Sequence, residues 1–544
     1  MAEARFPAAR GRRGAVASPH PLATEAGLAV LRRGGTAVDA AVAAGATLAV
    51  VYPHMTGLGG DSFWLVWDAR GGRLRGVQAC GPAAGLATPA LYRDRGLAEI
   101  PARGPLAALT VPGAVDGLWT AHTFSRGELG SPLTWPDLLA DAIRHAADGI
   151  PVSPCQARVT AGAADLLAVA GEPAFRPFRE TYLPNGRPPA AGARLVQPRL
   201  ARTLERLARD GGRAFYEGAV GAELACACEA AGSPLRAADL AAYHARWVEP
   251  LTVPYRGGIA ASLPPPSQGF TALAILGMLD AVDVRGYEPD SADYIHVVVE
   301  ATKLAFEDRD RWLADPDVAR VPTARLLDPR YLRDRARGIR ARTAARAPGA
   351  TGVGGDTVAC VAADAAGHCV SLIQSLYHEW GSGLVAGGTG VVLQNRGVAF
   401  SLDLGHPNVL APGRRPFHTL TPFMVLRGGR PVLVAGTMGG EGQPQTLVAL
   451  ATRVLDFGLD VQAAVEAPRW LFGRTWGAPT RGLALEGRFS EAVLTELAAR
   501  GHRVRVVEPW SDTMGHAQAI WLDPETGDLV GAGDPRADGP AMAF

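Results

Sequence analysis

The interpretation of this chain depends on the segment Gly354-Gly355-Asp356-Thr357-Val358-Ala359-Cys360-Val361-Ala362-Ala363-Asp364. A glycine pair and an acid precede Thr357, which opens an alternating apolar pattern typical of a strand. After a turn at 364–367, a second strand is expected from His368 to Leu376. The pattern predicts a β-hairpin whose first residue carries a hydroxyl and follows a flexible, exposed loop.

The position of Thr357 suggests an unusual catalyst. If the Asp356–Thr357 bond is cut, Thr357 becomes a chain terminus that carries both a nucleophile and a base. An α-amine has a pKa of about 8, so an appreciable fraction is neutral near pH 7 and can take the hydroxyl proton. Threonine also favours strands for packing reasons, so an ordinary hairpin remains the alternative.

The overall composition excludes several classes of function. The chain has 544 residues, of which 48% are hydrophobic and 20% charged, and its net charge is +1. These values are ordinary for a soluble globular protein and give no electrostatic basis for binding nucleic acid or an anionic membrane. No apolar run reaches transmembrane length, and the Arg-rich start lacks the apolar segment of a secretion signal. We expect a cytoplasmic protein.

No motif predicts a cofactor or a metal. The glycines of Gly57-Leu58-Gly59-Gly60 resemble a phosphate loop, but no Gly-Lys-Ser/Thr follows and a strand comes next. Six scattered cysteines form no disulfide framework. Cys226 and Cys228 lie on a predicted helix without a second pair, so they are interpreted as core thiols.

Helices and strands alternate through both halves of the chain, which predicts one α/β body. The residues from Arg333 to Gly355 lose hydrophobic periodicity and predict a flexible linker, assigned to 335–356. Expected helices are Leu22–Arg33, Ala37–Val50, Phe270–Asp280, Tyr294–Ala314, Gln445–Asp456, Val461–Glu466 and Ser490–Arg500. Expected strands are Phe63–Trp67, Leu74–Ala79, Thr357–Ala362, Cys369–Ser375, Val391–Leu393, Phe423–Leu426, Pro431–Ala435 and Val504–Val507.

Several separate motifs, in order, match one known family. They are Ala17-Ser18-Pro19-His20-Pro21-Leu22-Ala23, Gly34-Gly35-Thr36-Ala37-Val38-Asp39-Ala40-Ala41, Tyr52-Pro53-His54 with Gly57-Leu58-Gly59-Gly60, Val111-Pro112-Gly113, Glu300-Ala301-Thr302-Lys303-Leu304-Ala305-Phe306 with Asp308-Arg309, and Ala467-Pro468-Arg469. From about Ala15 to its C-terminus the chain resembles the γ-glutamyltransferase (glutathione hydrolase) family of N-terminal-nucleophile hydrolases.

The resemblance implies a fold and a reaction. The fold is an αββα sandwich, two stacked antiparallel sheets between helical layers. A precursor cuts itself between Asp356 and Thr357 into a large subunit (1–356) and a small subunit (357–544). Thr357 then attacks an amide, its own amine relays the proton, and water or an acceptor amine releases the acyl group. No cofactor takes part.

Further site residues follow from the same resemblance. Gly439 and Gly440 correspond to the oxyanion-hole pair, although a tight turn after a strand would have the same sequence. Ser375 corresponds to a second catalytic-site hydroxyl.

The positions that would contact the substrate depart from the family pattern. Pro82 or a neighbour stands where the family has an Arg for the substrate carboxylate. Arg396 and Ala399 replace the polar and acidic residues that hold the glutamyl amine, so no acid remains there. Tyr377, His418 and Thr419 also differ from the pattern, and each side chain could instead serve only packing.

A pocket of Arg396, Tyr377 and His418 suits an anionic or carbonyl-rich acyl group without an amine. These departures resemble the acylase-like and oxamate amidohydrolase-like branch of the family. The sequence therefore predicts an amidohydrolase acting on a small carboxylate-bearing amide. The alternatives are a true glutathione hydrolase or transpeptidase, a cephalosporin-type acylase, and an uncleaved binding scaffold.

Overall fold

The computed structural model describes residues 6–346, 355–475 and 480–544. Its strands are β1 (Ala9–Gly11), β2 (Gly14–Ala17), β3 (Asp61–Asp68), β4 (Arg73–Ala79), β5 (Ile150–Pro151), β6 (Arg194–Leu195), β7 (Arg246–Val248), β8 (Leu251–Tyr255), β9 (Gly258–Ser262), β10 (Asp356–Asp364), β11 (Cys369–Tyr377), β12 (Phe423–Arg427), β13 (Arg430–Thr437), β14 (Trp470–Phe472), β15 (Leu483–Glu486), β16 (Val504–Val507), β17 (Ala517–Leu522), β18 (Leu529–Gly533) and β19 (Met542–Ala543).

The helices surround these strands. They are α1 (Pro21–Arg32), α2 (Ala37–Val51), α3 (Pro89–Arg93), α4 (Ala114–Phe124), α5 (Trp135–Asp148), α6 (Pro154–Gly162), α7 (Ala164–Val169), α8 (Arg176–Tyr182), α9 (Pro198–Asp210), α10 (Ala219–Ala231), α11 (Ala237–Ala241), α12 (Gly269–Asp280), α13 (Ala292–Trp312), α14 (Thr323–Leu326), α15 (Pro329–Ala336), α16 (Gly442–Leu455), α17 (Val461–Glu466) and α18 (Glu491–Ala499). None of the helices in the described ranges is long and apolar enough to cross a bilayer.

Two seven-stranded antiparallel sheets lie face to face. The first has the order β19-β2-β10-β11-β3-β4-β7 and the second the order β1-β18-β17-β13-β12-β9-β8. Alternate side chains of both sheets, among them Phe63, Ala359, Ile373, Met424 and Val434, form the apolar layer between them. Helix α2 covers the outer face of the first sheet, and α12 and α16 cover that of the second. The predicted αββα sandwich is confirmed.

Helix α2 is buried on every side, as its uniformly apolar sequence predicts. A capping box begins it: the Thr36 hydroxyl accepts from the Asp39 amide, and the Asp39 carboxylate accepts from the Thr36 amide. The Ala37 amide also donates to Asp364 Oδ2 at 2.7 Å, which fixes the helix N-terminus to the turn between β10 and β11.

The structure corrects four sequence predictions. The strand predicted at Val391–Leu393 is wrong: two isolated bridges replace it, because glycines with positive φ, such as Gly387 and Gly390, fold this segment back on itself. Residues 335–336 belong to α15, not to a linker, and 347–354, including Gly354, lie outside the described residues. Gly355 is buried instead of lying in an exposed loop. Cys228 is buried, but Cys226 is exposed.

Candidate active site

Four side chains form a row across one end of the first sheet. Between β11 and β3, Ser375 pairs with Asp61. Between β3 and β4, Ser62 pairs with Ala79, so Asp61, the residue before Ser62, lies beside Cys80, the residue after Ala79. A register shift between Asp356 and Val358 sets Thr357 opposite Ser375 and its neighbour. Such bulges occur next to active sites, where they redirect a side chain. The row, which we call the polar row, consists of Thr357, Ser375, Asp61 and Cys80.

The polar row faces the second sheet. Ser371 donates its hydroxyl to Ala435 O at 2.7 Å across the interlayer, and Ser375 lies four residues further along the same face of β11. Ala359, two residues beyond Thr357, also points between the sheets. The row therefore lies where β13 ends and its following turn begins.

Ser375 is bonded to the peptide that precedes Thr357. Its hydroxyl donates to the carbonyl oxygen of Asp356 and accepts from the Tyr377 amide at 2.8 Å. The Thr357 hydroxyl is buried and has no hydrogen-bond partner among the described residues. If Thr357 Oγ1 attacked the Asp356 carbonyl carbon, the negative charge would develop on the oxygen that Ser375 already contacts.

The Gly439-Gly440 turn lies beside this peptide. A chain of hydrogen bonds connects them: the Gly355 amide donates to Thr475 O at 3.0 Å, and the Thr475 hydroxyl donates to Gly439 O at 3.1 Å. Gln268 Nε2 donates to Gly440 O at 2.9 Å. Gly439 has φ +133° and Gly440 φ +52°, values that favour glycine. Among the described residues, the hydrogen bonds that hold this turn are accepted by the carbonyls of Gly439 and Gly440. Their two amides donate none of these bonds and are therefore available to an oxyanion.

Arg396 is a fully buried cation in the site. Its Nη2 lies 3.2 Å from Ser375 Oγ and its Nη1 3.5 Å from Thr419 Oγ1, and its guanidinium lies 4.2 Å from the Tyr377 ring centroid. No carboxylate among the described residues lies within 4.0 Å of the Arg396 guanidinium, the distance limit for an ion pair. Burial lowers the pKa of Arg396 to about 10, so the side chain is still charged at neutral pH. An unpaired buried cation is costly, and an anionic ligand would relieve that cost.

His418 and Asp61 form a second polar pair at the site. His418 Nε2 lies 3.7 Å from Asp61 Oδ2, and both residues are fully buried. Burial, with Arg396 and Arg415, holds the pKa of His418 well below its usual value, so the ring is neutral. Burial raises the pKa of Asp61 to about 7, although Arg396, Gln394 and backbone amides favour its ionised form.

The remaining predicted residues lie nearby. Tyr377 has φ +83°, a strained value for a non-glycine residue, and its ring stacks on His378 with centroids 4.5 Å apart. Thr419 lies between Arg396 and Gln268. Pro82 lies in an adjoining cavity of about 350 Å³, together with Cys80. Its contact with a substrate stays a prediction.

Sequence reasoning missed Asp61. It appears in the sequence only as the acid after Gly59-Gly60, at the start of an apolar strand. The register of β3 against β11 is what brings it opposite Ser375. An acid at the first position of a buried strand was the available signal.

One cluster in the described part of the chain approaches a metal-binding arrangement. Ligand atoms of His296, Glu300 and His502 lie within 4.8 Å of one another. His296 Nδ1 is 2.8 Å from His502 Nε2, and Glu300 Oε1 is 2.6 Å from Lys303 Nζ. These contacts account for the cluster as a hydrogen-bonded structural element, and Lys303 would repel a cation.

Comparisons with known proteins identify the family of the chain. The family model described as Gamma-glutamyltranspeptidase matches residues 23–544. The oxamate amidohydrolase proenzyme of Klebsiella pneumoniae is 46% identical over 532 residues, covering 98% of both chains. The glutathione hydrolase-like YwrD proenzyme of Bacillus subtilis is 44% identical over 536 residues, covering 98% of this chain and 99% of the relative.

A solved structure is similar over the whole fold. The crystal structure of cephalosporin acylase from Bacillus halodurans is 35% identical, with a TM-score of 0.92, covering 100% of this chain and 98% of that one. The similarity therefore extends over the two sheets and the helical layers. The chain belongs to the gamma-glutamyltranspeptidase family and is an enzyme of that family.

Proposed function

We propose that this enzyme cuts itself before Thr357 and then hydrolyses a small amide whose acyl part carries a carboxylate. The observation that carries the proposal is Arg396: a buried guanidinium with no carboxylate partner among the described residues, 3.2 Å from the Ser375 hydroxyl. Carboxylates are the groups that guanidinium binds with both good geometry and charge. The oxamate amidohydrolase relative supports a small acyl group of this kind.

Self-cleavage involves Thr357, the carbonyl of the residue before it, and the Ser375 hydroxyl. Thr357 Oγ1 attacks the Asp356 carbonyl carbon, the amide C–N bond breaks, and an ester to Thr357 Oγ1 replaces it. The nitrogen keeps its hydrogen and takes the hydroxyl proton to become the free amine. Water then hydrolyses the ester and leaves a carboxylate on Asp356. Ser375 stabilises the oxyanion during the attack because its hydroxyl already donates to Asp356 O.

Amide hydrolysis follows the same sequence with an external substrate. Thr357 Oγ1 attacks the substrate carbonyl, and the α-amine of Thr357 takes the hydroxyl proton and passes it to the departing amine. The amides of Gly439 and Gly440 receive the oxyanion. Water attacks the resulting ester and releases the carboxylic acid. Arg396 holds the carboxylate at the far end of the acyl group and thereby orients the reacting carbonyl.

A larger leaving group is the second candidate. A cavity of about 500 Å³ opens beside the site, with Arg309, Ala399 and Phe417 in its wall. Phe417 is next to His418, and Arg309 Nη2 is 2.7 Å from Glu441 Oε1, directly after the Gly439-Gly440 turn. This space, together with the fold shared with a cephalosporin acylase, favours an amide with a bulky amine.

A substrate panel tests the proposal. The self-cleaved protein is incubated with oxamate, a glutaryl anilide, a glutaryl amide of a bulky amine, and a γ-glutamyl anilide, and the released amine or ammonia is measured. We expect hydrolysis of one or more of the three amides that lack an α-amine, at rates well above that of the γ-glutamyl compound. Preference for the γ-glutamyl anilide would make the enzyme a glutathione hydrolase or transpeptidase. We also propose a cytoplasmic location, which cell fractionation tests.

A further inference from the structure

Asp61 is a buried acid at the site that no step above uses. It lies opposite Ser375 in the polar row. Its Oδ1 accepts from the amides of Gly113 at 3.0 Å and Gly81 at 3.3 Å, which fixes the orientation of the carboxyl group. Its Oδ2 is buried and lies 3.7 Å from His418 Nε2, too far for a hydrogen bond, and it makes no hydrogen bond to a described residue. That oxygen is therefore held in place with its capacity to bind a ligand unused.

The charges around the bound ligand determine whether Asp61 is ionised or protonated when the ligand binds. Arg396 supplies one positive charge, and an anionic acyl group would neutralise it. If Asp61 were also ionised, two anions would face one cation in a site without bulk water, which is strongly unfavourable. A protonated Asp61 keeps the occupied pocket neutral. It also supplies an O–H donor at Oδ2, the atom without a partner.

We propose that Asp61, as a neutral carboxylic acid, donates from Oδ2 to the acyl carboxylate held by Arg396. The pocket then selects an acyl group with a negative charge at this position and rejects one with an ammonium. This inference rests on the proposed function and narrows it, because Arg396 and Asp61 together define the acyl group as an anion.

Protonation of Asp61 is feasible near pH 7 because burial raises its pKa to about 7. The groups that face it are Arg396, His418, Cys80, Gln394, Tyr216 and Tyr243. Burial raises the pKa of the Cys80 thiol to about 12 and the pKa values of both phenols well above their usual value. Among these groups Asp61 alone changes charge between pH 6 and pH 8. After self-cleavage the Thr357 amine adds a second titration near pH 8.

The test compares wild type with Asp61→Asn, whose amide keeps a donor at the Oδ2 position and an acceptor at Oδ1. Binding of oxalate, malonate and glutarate to the self-cleaved proteins is measured by calorimetry from pH 6 to pH 8. In wild type, we expect one or more of these anions to bind about tenfold more weakly at pH 8 than at pH 6. In Asp61→Asn, the affinity for the same anion at pH 6 should stay within a few-fold of the wild-type affinity. The about tenfold weakening between pH 6 and pH 8 should be absent.

Two comparisons isolate the effect of Asp61. The Thr357 amine titrates in both proteins, so the difference between them belongs to Asp61. Asp68→Asn, at the other end of β3, removes an acid from the same strand outside the site and should keep the wild-type pH dependence. Thermal melting confirms that both variants are folded.

Three results would overturn the inference. The first is the same pH dependence in wild type and Asp61→Asn, and the second is no binding of any of the three anions at pH 6. The third is tighter binding of glutamate at pH 8 than at pH 6, lost in Asp61→Asn, which would make Asp61 the counter-ion of an ammonium. Failure of the proposed hydrolysis is a separate outcome, because anion binding is measured without turnover.

Discussion

At the scale of single residues, Ser375 has the most specific consequence for self-cleavage. Its hydroxyl contacts the carbonyl oxygen on which charge develops, so Ser375→Ala removes an oxyanion donor. We expect self-cleavage to slow by about 10²–10³-fold, and Ser375→Thr, which keeps the hydroxyl, to lose much less. The rate is followed by intact mass after synthesis in a cell-free system. Equal rates for Ser375→Ala and wild type would exclude this role.

Arg396 has a consequence for substrate choice. Arg396→Met keeps an unbranched apolar stem but removes the guanidinium and its charge, and the loss of a charge-assisted bond costs about 1.5–3 kcal/mol. We expect kcat/KM for a carboxylate-bearing amide to fall by about 10- to 100-fold, while hydrolysis of an uncharged amide changes little. Arg396→Lys keeps the charge without the planar guanidinium, so its kcat/KM for the carboxylate-bearing amide should lie between the values for wild type and Arg396→Met. A uniform loss for both amides would show that Arg396 supports only the fold.

Individual residues differ in how far their sequence context reveals them. Thr357 could be singled out because its neighbours encode the hairpin that the structure contains, and its role as nucleophile stays a prediction. Arg396 could be singled out because it departs from a known pattern. Asp61 could not, since its place depends on which residue of β11 lies opposite, and register is a long-range property that a local pattern does not contain.

At the scale of elements, α13 holds the chain that leads toward Thr357. Glu300 Oε2 accepts from the Ala345 amide at 2.8 Å, and Lys303 Nζ donates to Ala345 O at 3.0 Å, so both backbone groups of Ala345 are fixed. Glu300 and Lys303 are also ion-paired at 2.6 Å and almost fully buried. This arrangement fixes the backbone at Ala345, in a segment whose sequence has no hydrophobic periodicity.

Removing one partner of this ion pair should be costly. Glu300→Gln leaves the Lys303 charge buried without its partner, and we expect a loss of about 3–5 kcal/mol in the free energy of unfolding. Urea unfolding is measured in a Thr357→Ala background, so that all variants are single chains. The double change Glu300→Gln and Lys303→Met should recover part of the loss. An unchanged midpoint for Glu300→Gln would contradict the contribution assigned to the pair.

The helices and strands differ in how strongly their own sequence predicts them. Helix α17 and the hairpin of β10 and β11 could be predicted because strong periodicity and turn residues define them. Strands such as β14 and β18 were missed, since β14 is three residues long and β18, Leu529–Gly533, contains two glycines. Their strand conformation comes from pairing with neighbours, which only the assembled sheet supplies.

At the scale of the whole molecule, the two predicted subunits are interleaved in both sheets. In the first sheet, β10 and β11 of the small subunit lie between β2 and β3 of the large one. In the second sheet, β12 of the small subunit pairs with β9 of the large one. Cutting one peptide bond removes none of these backbone hydrogen bonds.

We therefore expect the fragments to stay together after cleavage. The cleaved protein should elute at the size of the intact 56.7 kDa chain, or of a defined multiple, in native gel filtration. It should show two bands on a denaturing gel, and urea should separate the fragments. Two separate native peaks would contradict the interleaved arrangement.

The intact mass of the purified protein, measured beside Thr357→Ala, shows whether the chain is cut before Thr357. We expect two fragments for wild type, residues 1–356 and 357–544, and a single chain for Thr357→Ala. A single uncleaved chain in both proteins, or a cut at another bond, would contradict the assignment of Thr357 as the nucleophile.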